Sequence, residues 1–217
     1  MITGGRDAAS VTIYDPATNL WTKEPTMLVS RGYHSMTVLH DGSVFTVGGS
    51  WSGGRGGKYG EFWDPASNTW LPLTDVQTPA LQTDDVAGIF RSDNHMWLFE
   101  SPGRRIFQAG PSRQMHWIDV EGNGSVTPSV LRGADSDAMN GNAVMYSVGK
   151  ILTVGGAEDY DNSPATTATH VIDINGAEAT VAQVESMNSP RSLCSSVVLP
   201  SGEVVVFGGQ SKGKNNR

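Results

Sequence analysis

The chain has 217 residues, a formal net charge of −7 and only 17% charged residues, with 26 glycines and 11 prolines. Nucleic acids and anionic membranes are recognised through dense Lys/Arg clusters, which are absent here apart from the weak Lys212-Gly213-Lys214 tail, so neither partner is expected. No apolar run approaches the roughly 20 residues that a membrane-spanning helix requires. The glycines and prolines instead predict an all-β protein of short strands joined by tight turns.

A repeated pattern runs along the whole sequence. Residues 14–21, Tyr-Asp-Pro-Ala-Thr-Asn-Leu-Trp, recur as residues 63–70, Trp-Asp-Pro-Ala-Ser-Asn-Thr-Trp. Residues 31–49 and 191–209 have equal length, share apolar and glycine positions, and both end in Gly-Gly. Two further copies carry glycines at the same spacing. We interpret these copies as one structural unit used several times.

Each unit predicts two apolar strands joined by a tight turn, at Asp41-Gly42 or Ser201-Gly202, with the glycine doublet after the second strand. A third strand runs into Asp-Pro, and a fourth carries Trp21 or Trp70, whose repeated position predicts a place in the core. Four-stranded units repeated every ~50 residues are typical of β-propeller blades. The doublets account for about four blades, interrupted at both ends, so we expect a fragment of a larger propeller. A partial propeller that self-assembles is the alternative.

Strand directions alternate within a blade, so the start of the first strand and the loop after the second lie at the same end, which we call the mouth. Binding residues are often found in loops at the end of a rigid scaffold. The residues expected there with side chains suited to binding are Tyr33, Trp51, Phe90, Arg91, Leu193 and the loop 158–161, Glu-Asp-Tyr-Asp.

Structural explanations for these residues remain open. The position of Tyr33 holds asparagine in two other repeats and Leu193 in a third, so the blade does not require a phenol there. A tyrosine packed between blades is the alternative to a site residue. Trp51 lies in the glycine-rich loop 50–60, where an indole either covers its own loop or forms a stacking platform for a ligand.

The histidines do not predict a metal site. His34 and His95 share a repeat position with Cys194, which favours a structural role for both histidines. Cys194 is the single cysteine, so no internal disulfide can form and the redox compartment is not indicated. The acidic residues of loop 158–161 are interpreted as a solvated loop, with binding of a cation or a sugar hydroxyl as the alternative.

Five segments together closely resemble the family of galactose oxidase and the fungal copper radical oxidases. They are residues 31–33 (Arg-Gly-Tyr), 48–54 (Gly-Gly-Ser-Trp-Ser-Gly-Gly), 90–95 (Phe-Arg-Ser-Asp-Asn-His), 108–112 (Gln-Ala-Gly-Pro-Ser) and 137–139 (Asp-Ala-Met) together with 141–146 (Gly-Asn-Ala-Val-Met-Tyr). The resemblance implies a seven-bladed kelch propeller in a secreted fungal enzyme. It also implies oxidation of primary alcohols, such as the C6 hydroxyl of galactose, to aldehydes, with O₂ reduced to H₂O₂.

The resemblance further implies roles for individual residues. Tyr33 would bind copper and be cross-linked to a cysteine by a thioether, and this pair would form a radical cofactor. Trp51 would stack over the thioether, and Arg91 would donate hydrogen bonds to substrate hydroxyls, as its fork of donors suits it to do. Implied substrate contacts are Phe90, Tyr160, Asp161 and Leu193. Three of these depart from galactose oxidase, which has tyrosine, glutamine and phenylalanine at Phe90, Asp161 and Leu193, so another primary alcohol or an oligosaccharide is expected.

The rest of the copper site is expected outside the chain. The cross-linking cysteine belongs upstream of Met1, and the axial tyrosine and two histidines belong downstream of Arg217. Copper on Tyr33 alone would be weak, because imidazole ligands supply most of the affinity of such a site. We therefore expect residues 1–217 to be an incomplete catalytic domain, inactive alone, from an enzyme that is monomeric when complete.

Two points stay open in this interpretation. No signal peptide follows Met1, so secretion of the parent protein is implied by the resemblance alone. The alternative function is a kelch-type module that binds a protein or glycan through Trp51 and Arg91 without a metal.

Overall fold

The computed structural model describes residues 1–5, 8–49, 58–85 and 96–214. These residues form seventeen β-strands and one short 3₁₀ turn, Thr78–Leu81, and contain no α-helix. In the same ranges no helix is long and apolar enough to cross a bilayer.

The strands form five antiparallel sheets, and within each sheet the spatial order follows the chain order. The first sheet contains β1 (Ile2–Thr3), β2 (Val11–Asp15) and β3 (Leu20–Glu24). The second contains β4 (Ser35–Val38), β5 (Val44–Val47), β6 (Gly60–Asp64) and β7 (Thr69–Leu73). The third contains β8 (Trp97–Ser101), β9 (Arg105–Gly110), β10 (Gln114–Asp119) and β11 (Ser125–Leu131). The fourth contains β12 (Asn142–Ser147), β13 (Lys150–Val154), β14 (Thr169–Asp173) and β15 (Thr180–Gln183), and the fifth β16 (Ser192–Val198) and β17 (Val204–Gln210).

The sheets follow one another as propeller blades. The first strands of successive sheets are neighbours, since β4 contacts β8, β8 contacts β12, and β12 contacts β16. These strands therefore form the inner wall of an arc, with the later strands of each sheet farther out. Three sheets have four strands each and are flanked by sheets of three and two strands, and the propeller is not closed. The predicted all-β partial propeller of about four blades is confirmed.

The core lies between the blades. Successive residues of a strand point to opposite faces, so Ile106 packs against the second sheet while Phe107 packs against the fourth, and both are fully buried. A third cluster joins the first two sheets through Val11, Trp63 and Trp70. Burying such a side chain contributes about 1.5–3 kcal/mol, so each blade is stabilised chiefly by its neighbours. This explains why the middle strands are apolar on both faces.

The prediction of core tryptophans is confirmed for Trp70 and wrong for Trp21. Trp70 is buried against the first sheet, and its Nε1 donates to Pro25 O at 3.1 Å. Trp21 is 57% exposed and contacts the ring of Tyr14, with a centroid distance of 5.2 Å. The two tryptophans differ in burial because Trp70 packs against the first sheet, whereas no described sheet packs against Trp21.

The repeated turns have matching geometry. The amide of Gly42 donates to Leu39 O at 2.9 Å, and that of Gly202 donates to Leu199 O at the same distance. Both glycines have left-handed φ values, 84° and 88°, which glycine adopts without a steric penalty. The predicted tight turns are confirmed.

Candidate functional site

Tyr33, Asn140 and Leu193 occupy one repeated position, just before β4 and β12 and at the start of β16. All three have left-handed backbones, with φ of 58°, 58° and 55°. Tyr33 is 63% exposed and Leu193 is 51% exposed, whereas Asn140 is buried. The amide of Leu193 donates to Asn140 O at 2.6 Å, which joins these positions in adjacent blades. Among the described residues Tyr33 is therefore not packed between blades, which was the alternative to a site residue.

The segment that carries Tyr33 lies directly against the end of β5. Gly48 and Gly49 have φ of 77° and 96°. A Cβ added to Gly49 would lie 2.8 Å from Gly32 O, closer than such atoms approach in proteins. The doublet thus lets the chain after β5 pass beside the residue that precedes Tyr33. The two segments share one end of the blade, as the alternation of strand directions predicts.

Tyr160 lies in the loop after β13 and is held by three neighbouring segments. Its amide donates to Asp85 Oδ2 at 3.1 Å. Its carbonyl accepts from Lys214 N at 2.8 Å and from Asn140 Nδ2 at 3.3 Å. The ring is buried, and its hydroxyl lies 3.0 Å from Lys214 Nζ. Tyr160 is therefore a rigid part of the mouth.

Lys214 also lies at the mouth, although no sequence motif indicated it. Asp161 and Lys214 form an isolated parallel bridge, and the Lys214 ammonium lies 5.2 Å from the centroid of the Tyr160 ring. The pKa of Lys214 is raised, first by the hydrogen bond to the Tyr160 hydroxyl, and also by Asp161 and Tyr33. Lys214 thus contacts Tyr160 through its side chain and pairs with Asp161 through its main chain.

The sequence did contain a signal for Lys214. It stands five residues after Gly209, the second glycine of its doublet, as Asp161 does after Gly156. Both residues therefore belong to the loop after the second strand of a blade, where mouth residues were expected. Trp51, Phe90 and Arg91 lie outside the described residues, and their roles remain predictions.

Metal-binding side chains were sought next to the mouth residues. Within the described residues, no group of three or more His, Cys, Asp and Glu side chains is arranged to hold a metal ion. His34 Nε2 lies 2.7 Å from Thr3 Oγ1, and burial, helped by the charges of Arg31 and Lys58, lowers its pKa to about 4. This geometry agrees with a structural role for His34. The exposed phenol of Tyr33 fits a copper site as one of its ligands.

Near Tyr160, several carboxylates line a cavity of about 240 Å³. Asp137 has a structural role, since its carboxylate accepts from the amides of Asp84 and Arg113, each at 2.6 Å. Glu158 is exposed at the cavity edge. Asp159 and Asp161 are partly buried, so full solvation of the acidic loop is seen only at Glu158.

Comparison with known proteins supports the resemblance to galactose oxidase that the sequence motifs indicated. No protein-family model matches the chain. The chain is 43% identical to a galactose oxidase of Gibberella zeae (strain PH-1) over 222 residues, which cover 98% of the chain and 33% of the relative. A second Gibberella zeae galactose oxidase sequence gives the same values. The chain thus spans about a third of the length of the curated relatives it matches.

Solved structures agree with this result. A fungal alcohol oxidase of the AA5 family, in complex with copper, has a TM-score of 0.89 and 36% identity over 97% of this chain and 44% of its own. The structure of YjhT has a TM-score of 0.62 and 13% identity over 93% of this chain and 69% of its own, which shows the fold alone. The sequence similarity to galactose oxidase therefore covers 98% of this chain and one third of the relative, and the fold agrees with that of a copper-containing alcohol oxidase. Galactose oxidase is the family that the sequence motifs indicated.

Proposed function

We propose that the chain is part of a copper-dependent oxidase that converts primary alcohols, including carbohydrates, to aldehydes and reduces O₂ to H₂O₂. The observation that carries this proposal is the exposed phenol of Tyr33, held at the mouth of a chain that is 43% identical to galactose oxidase. The chain covers 33% of that relative, so the activity is proposed for a longer protein that contains it. The 217 residues alone are proposed to be inactive.

Tyr33 is proposed as a copper ligand and as the member of a thioether-linked radical cofactor. Copper held there would supply one-electron redox chemistry and would polarise the oxygen of a bound alcohol. The thioether cysteine is proposed to lie outside this chain, because Cys194 is buried in β16, opposite Gly208 and three sheets along the arc from Tyr33. Trp51 is proposed to cover the phenol and exclude water from it.

The proposed substrate site lies around Tyr33 at the mouth. Leu193 contributes an apolar surface, and Asp161 contributes carboxylate oxygens that accept hydrogen bonds from hydroxyl groups. Tyr160 forms a rigid wall, and Phe90 and Arg91 are assigned to the same site by resemblance. An apolar side chain at Leu193 and a carboxylate at Asp161 favour a primary alcohol other than galactose, or an oligosaccharide. We also propose that the longer protein is secreted.

Oxidase activity provides the test. The 217-residue chain and a longer protein containing it would be loaded with Cu(II) and assayed for H₂O₂ with galactose, raffinose and benzyl alcohol. We expect release by the longer protein, none by the short chain, and loss in the longer protein after Tyr33→Phe. Tyr14→Phe is the matched control, because Tyr14 lies on β2, outside the mouth.

Two outcomes would contradict the proposal. Turnover by the 217-residue chain would disprove its inactivity. A longer protein that binds glycans through Trp51 but releases no H₂O₂ with any alcohol would favour the kelch-type binding module instead.

A further inference from the structure

Two residues before Tyr33, the side chain of Arg31 is fully buried in an ion pair. Arg31 Nη2 lies 2.8 Å from Glu61 Oε1, and both side chains are 0% exposed. The guanidinium also donates to Gly48 O, at 2.9 Å, and to Tyr59 O. Arg31 therefore joins the segment before β4, the end of β5 and the start of β6.

Glu61 also binds the segment that precedes Tyr33. Its carboxylate accepts from Leu28 N at 2.6 Å and from Val29 N at 3.0 Å, in addition to Arg31 Nε at 3.1 Å. Both members of the ion pair are thus supplied with hydrogen-bond partners, which a buried charge requires. The pair fastens residues 28–31 to β6.

The main chain of Arg31 connects to the first sheet. Its amide donates to Ala8 O at 3.0 Å, and its carbonyl accepts from Gly5 N at 3.0 Å. A Cβ on Gly4 would lie 2.4 Å from Arg31 O, so the two blades meet closely here. Arg31 is therefore held by both neighbouring sheets immediately before the left-handed residue Tyr33.

The other blades show that the arginine is not needed to form a sheet. Ala138 fills the same position in the fourth sheet, which has all four strands. Arg191 fills it in the fifth, and its main chain makes the equivalent hydrogen bonds, to Thr166 O and from Gly156 N. Arg191 donates through Nη1 to Gly208 O but is only half-buried, and within the described residues it has no ion pair.

We propose that the buried Arg31–Glu61 pair is a positioning device that fixes Tyr33 relative to the Gly48–Gly49 doublet. Residues in left-handed backbone persist when the surrounding structure holds them there. The rigid guanidinium fork supplies several bonds in fixed directions, which a lysine does not. This inference rests on the proposed role of Tyr33 as a copper ligand, and it makes Arg31 and Glu61 positioning residues, not catalytic ones.

The test observes Tyr33 itself, without copper. 3-Fluorotyrosine would be placed at position 33 of the 217-residue chain, and its ¹⁹F spectrum recorded for the parent, Arg31→Met, Arg31→Lys and Arg191→Met. We expect one resonance in the parent and in Arg191→Met, and a shifted, split or broadened resonance in both Arg31 variants. The nitration rate of Tyr33 by tetranitromethane should change about threefold in Arg31→Met, while that of Tyr14 stays unchanged.

Circular dichroism separates this effect from unfolding. If Arg31→Met does not fold, the double variant Arg31→Met/Glu61→Leu takes its place, because exchanging both members of a buried ion pair for apolar residues is commonly tolerated. An unchanged ¹⁹F resonance and nitration rate in a folded variant would overturn the proposal. Full restoration by Arg31→Lys would overturn the requirement for the guanidinium fork. Failure of the oxidase assay would leave these spectra unaffected, so the two proposals fail separately.

Discussion

Leu193 and Tyr33 occupy equivalent positions in two sheets and share a left-handed backbone, with φ of 55° and 58°. The conformation therefore belongs to the blade, and the side chain is what differs. An exposed phenol in one blade and an exposed isobutyl group in another give the mouth its chemical character. Neither residue type adopts this backbone readily, which makes the position sensitive to substitution.

Leu193→Asn should stabilise the chain. Asparagine adopts the left-handed region more readily than leucine, and the 51% exposed leucine loses little packing, so we expect the free energy of unfolding to rise by about 0.5 kcal/mol. Urea denaturation measures the change. Leu199→Asn is the control. Leu199 does not have a left-handed backbone, so this variant gains no relief of strain and should be less stable than the parent. Equal losses in both variants would show that backbone strain at Leu193 is negligible.

Gly49→Ala should cost more than Gly202→Ala. Both glycines have left-handed φ, but a Cβ on Gly49 meets Gly32 O at 2.8 Å, whereas one on Gly202 meets nothing within 4 Å. We expect losses of about 3 and about 1 kcal/mol, respectively, because only the first adds a clash to the backbone strain. Thermal and urea unfolding of the two variants would give the comparison. Similar losses would contradict the close approach of the doublet to Gly32.

Arg31→Met should destabilise the chain far more than Arg191→Met. Removing Arg31 leaves the fully buried carboxylate of Glu61 without its counter-charge, which costs about 3–5 kcal/mol. Arg191 is half-buried, so its loss should cost about 1 kcal/mol or less. Chemical denaturation of both variants provides the measurement. Comparable effects would mean that the burial of the Arg31 pair adds nothing to stability.

Protonation of His116 should lower the free energy of unfolding of the chain at acidic pH. Burial lowers the pKa of His116 to about 4, below its ordinary value of 6.5. Between these pH values the unfolded chain binds a proton that the folded chain does not, so the free energy of unfolding decreases as the pH falls from 6.5 to 4.

His116→Asn isolates this contribution. Asparagine retains a donor for Gln108 Oε1, which lies 2.7 Å from His116 Nδ1, but does not titrate. Between pH 7 and pH 4.5 the parent should lose about 2 kcal/mol more than the variant. Urea denaturation at the two pH values measures this difference. Parallel losses would exclude His116 as the source.

Much of the fold was predictable from local patterns. The turn at Gly42 and the doublet at Gly48–Gly49 recur at equal spacing, and glycine is the residue that adopts their backbone without strain. Trp21 and Trp70 show the limit of the repeat, because at equal repeat positions only Trp70 packs against another described sheet. A sequence repeat predicts the backbone geometry of each blade, but not which of its side chains are buried by a neighbouring blade.

The candidate site was predicted in part. Strand direction and resemblance indicated Tyr33, Tyr160 and Asp161, and the structure brings Tyr160 and Asp161 to Lys214. The partnership of Arg31 with Glu61 could not be predicted, since the two residues are 30 positions apart and no pattern joins them. Such contacts depend on the tertiary fold, which brings segments that are distant in sequence into contact.

By itself, the sequence determined the all-β class, the four-stranded repeat, the turns and the similarity to galactose oxidase, because glycine conformation, apolar spacing and motif identity are local properties of the chain. Only the tertiary structure decided that Tyr33 is exposed in left-handed backbone, that Lys214 meets Tyr160, and that Arg31 is buried against Glu61. Exposure and charge pairing are set by contacts between blades, which bring distant segments together and exclude water between them.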